Sequence, residues 1–198
     1  MSVTVIVATF CDAAVWGTIA ARALASAAAQ TRPPEAVLAV HGSTLADARN
    51  RGAEQARTEW LCFLDADDEL DHRYVETMLA GDGDLRYPRV LGVVDGEDDP
   101  EPITPVPGDL LERNYLVIGT LVRRAQFLRV GGFRDWPMFE DWDLWLRCRA
   151  DGARIVACPR AIYRTHVRPS SRNRQPQAAA RVYHEIRARH LAAAPSRA

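Results

Sequence analysis

Three short apolar runs near the N-terminus alternate with helix-like segments, and this alternation limits the folds open to the chain. The runs are Val3–Thr9, Ala36–Val40 and Trp60–Leu64. Helix-like segments lie between them, at about Trp16–Gln30 and then up to about Arg57. Strands that are separated by helices pair in parallel through right-handed crossovers. The sequence therefore predicts an α/β fold whose sheet is covered by helices on both faces.

The rest of the chain continues this mixture of helices and strands. An acidic, proline-rich loop at residues 96–108 interrupts it and is either a lid or a solvated connector. The last helix has an apolar face, which is typical of a helix that packs on a core. The predicted elements are a helix at Asp71–Leu79, strands at Arg89–Val94 and Tyr115–Val122, a helical turn at Ala125–Val130, a helix at Asp141–Ala150, strands at Arg154–Ala157 and Ala161–Thr165, and an amphipathic helix at Ala178–Leu191 with Val182, Tyr183, Ile186 and Leu191 on one face.

Composition places the chain among ordinary globular proteins. Its 198 residues fit one domain, and 47% hydrophobic with 26% charged residues is an average balance. No apolar run approaches the ~20 residues that span a bilayer, and the N-terminus does not resemble a signal peptide. The four cysteines lack any Cys-x-x-Cys spacing, which favours reduced, buried thiols. We therefore expect a cytoplasmic protein without a transmembrane segment.

Acidic residues follow the third apolar run directly, at Asp65, Asp67 and Asp68. Open α/β sheets bind ligands beyond such strand ends. Mg²⁺ is usually held by one or two carboxylates together with the phosphates of a substrate. Alternation along an extended chain predicts that Asp65 and Asp67 point to one face and that Asp68 points away. The pattern indicates a metal and a phosphate-bearing ligand, and a solvated acidic turn is the alternative.

A second acidic pair, Glu140-Asp141, stands at the start of a predicted helix. The helix macrodipole favours the ionised form of an acid at this position, and a general base must be ionised to accept a proton. Ordinary helix N-terminal charge is the alternative for an isolated pair. Asp143 lies one turn before Arg147, so we expect these two side chains to form an ion pair with a structural role.

Four motifs in a fixed order connect these features. They are Val5-Ile6-Val7-Ala8-Thr9-Phe10, then Gly42-Ser43-Thr44 with Ala48-Arg49-Asn50-Arg51-Gly52, then Phe63-Leu64-Asp65-Ala66-Asp67-Asp68, then Gly131-Gly132-Phe133 with Glu140-Asp141-Trp142-Asp143-Leu144-Trp145-Leu146-Arg147. From about residue 3 to about residue 170, the set resembles glycosyltransferase family 2, the inverting nucleotide-sugar transferases. The resemblance implies a single GT-A (Rossmann-like) domain with a mixed, mainly parallel central sheet flanked by helices.

The resemblance also implies a function and a set of site residues. It implies metal-dependent, inverting transfer of a sugar from a nucleotide-diphosphate donor to an acceptor hydroxyl, with Asp141 as the general base. Mn²⁺ or Mg²⁺ is expected on Asp65 and Asp67, with His166 as a further ligand. Residues expected to contact the nucleotide-sugar are Thr9, Phe10, Asp12, His41, Arg49, Asp65, Ala66 and Arg168, the last because a guanidinium suits a diphosphate.

The sequence departs from the family pattern after the second strand. The family usually has an acid there that touches the nucleotide, and this chain has His41. The usual preference for uridine is therefore not implied. A nucleotidyltransferase of related fold and an inactive nucleotide-sugar-binding module are the alternative functions.

The resemblance divides the chain into a catalytic domain and a tail. Residues 1–175 form the predicted catalytic domain, with a nucleotide-sugar half at about 1–95 and an acceptor half at about 96–175. Residues 176–198 form a basic amphipathic helix and tail. The sequence leaves the oligomeric state and the acceptor open, the latter among a glycan, a lipid carrier, a protein and a modified DNA base. The basic stretch Arg160–Arg189 would suit an anionic acceptor.

Overall fold

The computed structural model describes residues 1–94, 100–166 and 176–193. The strands are β1 (Val3–Phe10), β2 (Ala36–Gly42), β3 (Trp60–Asp65), β4 (Glu69–Leu70), β5 (Leu85–Val93), β6 (Glu101–Pro102), β7 (Leu121–Arg123) and β8 (Ile155–His166). The helices are α1 (Ala13–Ala28), α2 (Leu45–Gln55), α3 (Tyr74–Leu79), α4 (Arg124–Arg129), α5 (Glu140–Ala150) and α6 (Pro176–Ala193).

The strands form one mixed sheet in the order β2-β1-β3-β7-β5-β8-β4, with β6 added to β5. The three long pairings, β1 with β2, β1 with β3, and β5 with β8, are parallel. The antiparallel pairings each join two residue pairs. The predicted α/β fold with a mixed, mainly parallel sheet is confirmed. Its parallel order brings the ends of β1, β2 and β3 to the same edge, where ligands bind in open α/β sheets.

The strand predicted at Tyr115–Val122 was wrong over most of its length. Tyr115–Val122 is largely loop, with a turn closed by Thr120 N–H donating to Val117 O, and the strand β7 begins at Leu121. The stretch is apolar because Leu116 and Ile118 are buried in the core. Burial of a short apolar run does not by itself distinguish a strand from a packed loop.

The two strands predicted on either side of Pro159 are one strand, β8. Its pairing with β5 shifts register, from Pro88 opposite Cys158 to Arg89 opposite Ile162. Pro159 therefore lies where β8 bulges, a position at which proline removes no ladder hydrogen bond. The sequence also does not predict β4 and β6, which have two residues each.

The C-terminal helix α6 packs on the core of the sheet domain. Val182 and Ile186 are 2% and 0% exposed. The ring of Tyr183 stacks on Trp142 of α5, with centroids 5.0 Å apart and planes inclined by 9°. Leu191, predicted on the same apolar face, is 48% exposed.

The described residues contain no helix with the length and apolar content needed to cross a membrane. The predicted loop at 96–108 lies partly outside the described residues, since 95–99 fall in a gap. Arg168 also lies outside them, since residues 167–175 fall in a second gap.

Candidate active site

The Asp-x-Asp motif forms a tight turn at the end of β3. Asp65 is the last residue of the strand, and Asp68 N–H donates to Asp65 O at 3.0 Å to close the turn. Asp65 and Asp67 are partly exposed, whereas Ala66 between them is buried. The predicted alternation along an extended chain does not apply here, because the strand ends at Asp65 and the next two residues turn.

Asp68 ties this turn to β8. Its carboxylate accepts hydrogen bonds from Tyr163 Oη at 2.8 Å and from His166 N–H at 2.9 Å. Burial raises the pKa of Asp68 to about 8, and the charges of Asp65 and Asp67 add to the rise. The turn therefore gathers three carboxyl groups, and a nearby cation would favour their ionised forms.

This donor set fits a hard divalent cation. Carboxylate oxygens are the ligands that Mg²⁺ and similar ions prefer, and Asp65 and Asp67 present theirs at the partly exposed end of the turn. His166 is the last residue of β8, and its Nε2 lies 2.7 Å from Glu69 Oε1. Among the described residues, no three His, Cys, Asp or Glu side chains form a ready-made metal site. A cation bound by Asp65 and Asp67 would therefore need further ligands, such as the phosphate oxygens of a substrate.

Arg49 connects this turn to the second acidic pair. It lies on α2 with 2% of its surface exposed, and it donates from Nη2 to Asp65 at 2.6 Å and from Nη1 to Glu140 at 2.7 Å. Burial disfavours the guanidinium charge, but the two carboxylates outweigh it and raise the pKa of Arg49. Its predicted contact with a nucleotide remains a prediction. In this structure the side chain lies beneath the site and links its two acidic motifs.

Asn50, the next residue on α2, fastens the Gly-Gly-Phe motif. Its Oδ1 accepts from Phe133 N–H at 2.8 Å, and its Nδ2 donates to Phe133 O at 2.9 Å. Gly132 has a φ of +64°, and a Cβ there would lie 2.5 Å from Asn50 Oδ1. Glycine is required at 132 for both reasons. Arg49 and Asn50 thus place the chain that leads into α5 next to the Asp-x-Asp turn.

The acidic pair Glu140-Asp141 starts α5. Phe139, which precedes it, has a left-handed φ of 61°, a strained conformation for a residue with a Cβ. Glu140 is buried and bound to Arg49. Asp141 is partly exposed, and its Oδ1 accepts from Trp142 N–H at 2.7 Å while its Oδ2 accepts from Asn114 Nδ2 at 3.2 Å.

The protonation of Asp141 differs from the sequence-based expectation. Burial raises its pKa to about 7, and the neighbouring charge of Glu140 contributes, against the opposing effects of Arg49, Trp142 N–H and Asn114. The helix macrodipole was expected to favour the ionised form, but desolvation outweighs it here. A carboxyl group with a pKa near 7 is well matched to accept and release a proton at neutral pH.

Asp143 has the structural role predicted for it. It is fully buried and forms an ion pair with Arg147 at 2.9 Å, which confirms the predicted pairing. It also contacts Arg134 at 3.3 Å and His190 of α6 at 2.9 Å. Asp143 therefore anchors the helix that carries the Asp141 carboxylate.

The predicted nucleotide-binding residues lie at the ends of β1 and β2. Thr9 and His41 are opposite each other in the parallel ladder, with Thr9 Oγ1 3.0 Å from His41 Nδ1. Phe10 stacks on Trp16 of α1 with centroids 6.3 Å apart. Asp12 Oδ1 accepts from Val15 N–H at 3.4 Å, as a residue that caps a helix does.

The predicted site residues fall into two groups that lie together in the structure. Three further residues, Asn50, Tyr163 and Asn114, contact the site although the sequence did not indicate their contacts. Thr9, Phe10 and His41 lie near one another at the end of the parallel ladder, and Asp65 is joined through Arg49 and Glu140 to the helix of Asp141. Asn50 lies in one of the four motifs, but residue type alone does not indicate its contacts with Phe133. Tyr163 and Asn114 carried no sequence signal, because each acts through a partner far away in the chain.

Comparison with known proteins agrees with this description. A model of the family described as "Glycosyl transferase family 2" matches residues 18–126. This match covers more than half of the chain, and the protein belongs to glycosyl transferase family 2. A search of curated proteins gave no match.

Solved structures of Staphylococcus aureus TarS share the fold. TarS superposes with a TM-score of 0.68 at 18% identity, covering 94% of this chain and 39% of TarS. The TarS fragment 1–349 in complex with UDP-GlcNAc gives 0.69 at 18% identity, covering 94% of this chain and 65% of that chain. The same fragment with UDP gives 0.66 at 18% identity, covering 96% and 65%. The chain thus spans less than two thirds of each of these proteins.

Proposed function

We propose that this protein is a metal-dependent, inverting glycosyltransferase that moves a sugar from a nucleotide-diphosphate donor to an acceptor hydroxyl. Membership of glycosyl transferase family 2 favours glycosyl transfer over nucleotidyl transfer. TarS, whose fold is similar, is described in complexes with UDP-GlcNAc and UDP, which supports a nucleotide-sugar as the donor class.

One observation carries the proposal: the buried guanidinium of Arg49 binds Asp65 at 2.6 Å and Glu140 at 2.7 Å. It joins a diphosphate-binding candidate, Asp65, to Glu140, which is 75 positions further along the chain and directly precedes the base candidate Asp141. Transfer of a sugar from a diphosphate needs both functions side by side. A binding module that only held a nucleotide would not need the second acidic pair there.

In the proposed reaction, Asp141 accepts the proton of the acceptor hydroxyl. The hydroxyl oxygen forms a bond to the anomeric carbon from the face opposite the leaving group. The bond from that carbon to the diphosphate oxygen breaks, and the nucleoside diphosphate leaves with the electron pair. Trp142 N–H and Asn114 hold one oxygen each of the Asp141 carboxylate, which fixes its orientation before the acceptor arrives.

Asp65 and Asp67 are the proposed ligands of Mn²⁺ or Mg²⁺, and His166 is the proposed further ligand. When bound, such an ion neutralises the charge of the diphosphate and orients it. Asp68 does not need to bind the ion directly, because its carboxylate is already used to hold the turn against β8. Arg168 is proposed to contact the diphosphate.

The proposed nucleotide contacts are the side chains of Thr9, Phe10, Asp12 and His41 and the backbone of Ala66 at the turn. The acceptor class stays open. The division of the chain at about residues 95 and 175 and the cytoplasmic location remain predictions.

A screen of nucleotide-sugars tests the proposal. Each donor is incubated with the protein and MnCl₂ or MgCl₂, and hydrolysis and thermal stabilisation are measured in parallel with EDTA controls. We expect one donor to be hydrolysed and to raise the melting temperature only when metal is present. Stabilisation without hydrolysis, in the presence of a range of acceptors, would instead indicate an inactive binding module.

The nucleotide preference is expected to change in His41→Asp. A carboxylate at residue 41 accepts hydrogen bonds only, whereas imidazole can also donate one. We expect uridine diphosphate to gain about 1 kcal/mol, the typical net value of one hydrogen bond. Competition binding with uridine, guanosine, cytidine and thymidine diphosphates measures the change. Unchanged rank order and affinities would mean that residue 41 does not face the nucleotide.

The activity is expected to rise with pH through about 7. Asp141 acts as a base only when it is deprotonated, so its pKa of about 7 predicts that kcat/KM falls about tenfold per pH unit below that value and levels off above it. The profile is measured between about pH 5.5 and 9 with the donor found in the screen. Glu140→Gln removes a negative charge and frees Arg49, so its acidic limb should lie at lower pH. A flat profile over the whole range would contradict the raised pKa.

A further inference from the structure

The segment 109–116 lies against the helix that carries Asp141. Trp142 Nε1 donates to Leu110 O at 2.6 Å, and Arg149 of α5 pairs with Asp109 at 2.8 Å. Leu110 is fully buried beneath these contacts. The segment belongs to no helix or strand, so its position depends on what it touches.

The C-terminal helix α6 holds the middle of the same segment. Tyr183 Oη donates to Glu112 O at 3.0 Å, and Arg187 forms an ion pair with the Glu112 side chain. Tyr183 also stacks on Trp142, so one side chain of α6 contacts both the segment and α5. Glu112 is thereby fixed through its backbone and its carboxylate at once.

Asn114, two residues further on, faces the candidate base. Its Oδ1 accepts from Leu116 N–H at 3.2 Å, which identifies the other end of the amide as the donor group. That donor, Nδ2, lies 3.2 Å from Asp141 Oδ2. Because Trp142 N–H binds Oδ1, the two contacts together fix the rotation of the carboxylate.

A neutral donor suits this position. The charged groups that act on Asp141 among the described residues are Glu140 on its own helix and Arg49 on α2. Glu140 repels the negative charge of Asp141, and Arg49 is shared between Glu140 and Asp65. An amide can stabilise the ionised carboxylate by a hydrogen bond. It adds no second full positive charge that would compete with Arg49 for Glu140.

We propose that Asn114 is a positioning residue for Asp141 and that α6 keeps it in place through Glu112. This inference rests on the proposed function, in which Asp141 is the base. It gives α6 a role in the acceptor half of the site. The sequence alone does not show this role, because α6 is far from Asn114 along the chain. The side chains that carry it are Tyr183, Arg187, Glu112 and Asn114.

The first test measures the Asp141 carboxyl directly and needs no donor. The carbon-13 resonance of the side-chain carboxyl is titrated in the full-length protein, and Asp141→Asn identifies it by its loss. Asn114→Ala removes the hydrogen bond, so the pKa of Asp141 should rise by about 1. Asn114→Asp keeps the size of the side chain but adds a like charge, so the rise should be larger. If Asn114 had a purely structural role, the pKa of Asp141 would not rise in this order from wild type to Asn114→Ala to Asn114→Asp.

The second test measures turnover of UDP-GlcNAc to UDP with MnCl₂ and, in parallel, of the donor that the screen selects. Asn114→Ala should lower kcat about tenfold and leave the donor KM nearly unchanged, because the nucleotide is held elsewhere. Arg187→Gln should also lower kcat and leave the donor KM nearly unchanged, but the decrease in kcat should be smaller. Arg181→Gln is the matched control, since it removes an exposed arginine from the same helix and should behave as wild type.

The outcomes of the two tests distinguish a failure of this inference from a failure of the proposed function. If Asp141→Asn turns over normally, the base assignment in the proposed function fails. If Asp141→Asn is inactive but Asn114→Ala leaves both the Asp141 pKa and kcat unchanged, the positioning role is overturned and the function stands. Should Asn114→Ala be too unstable to study, the nearly isosteric Asn114→Asp decides, and an unchanged pKa there also overturns the inference.

Discussion

Asp141→Asn is expected to fold and bind donor like the wild type while its turnover falls by ~10² or more, the usual scale for the loss of a general base. The amide keeps the shape of the side chain and can still accept from Trp142 N–H through its oxygen. It cannot take the proton of the acceptor hydroxyl. The measurement is kcat with saturating donor and metal, together with calorimetric donor affinity.

Asp135→Asn is the matched control, because Asp135 is an exposed acid in the loop before α5. It should retain wild-type turnover. Near wild-type turnover in Asp141→Asn would show that another residue accepts the proton, and Glu140 would then be the next candidate because it is adjacent and bound to Arg49.

Asp67→Ala is expected to abolish metal-dependent donor binding. Asp67 is one of two partly exposed carboxylates at the turn, and its removal takes away one hard oxygen ligand and leaves the diphosphate charge uncompensated. Calorimetric titration with the donor, with and without Mn²⁺, measures the effect. We expect the wild type to bind more tightly with Mn²⁺ and the variant to show no difference between the two conditions.

Asp82→Ala provides the control for this prediction, since the side chain of Asp82 is 96% exposed and pairs with Arg154. Its donor affinity should equal that of the wild type. Unchanged metal-dependent affinity in Asp67→Ala would remove Asp67 from the metal site. Because Asp68 is buried and bound to Tyr163 and His166, it could not simply replace Asp67.

Local chemistry was enough to predict the first half of the sheet. The apolar runs that became β1, β2 and β3 are bounded by polar or helix-forming residues, so both their existence and their parallel pairing followed from sequence. The ion pair of Asp143 with Arg147 was predictable for the same reason, since the two residues lie one helical turn apart.

The second half was harder to predict because its contacts join distant parts of the chain. Tyr115–Val122 has the composition of a strand, yet most of it is loop, and β7 pairs with just the first two residues of β3 and of β5. Pro159 predicts a break between two strands. In the structure β8 continues past Pro159, because it pairs with β5 on both sides of a bulge. Neither outcome is visible in a window of neighbouring residues.

The sequence by itself determined the fold class, the family and the acidic motifs that carry the proposed chemistry, because these depend on residue type and on spacing along the chain. The tertiary structure decided how the motifs meet. It placed Arg49 between Asp65 and Glu140, 2% exposed, rather than on an open wall of the site. It brought Asn114 to Asp141 and α6 to the segment that carries Asn114. Such buried and long-range contacts depend on which surfaces pack together, and the pKa of Asp141 follows from that packing because burial is its largest cause.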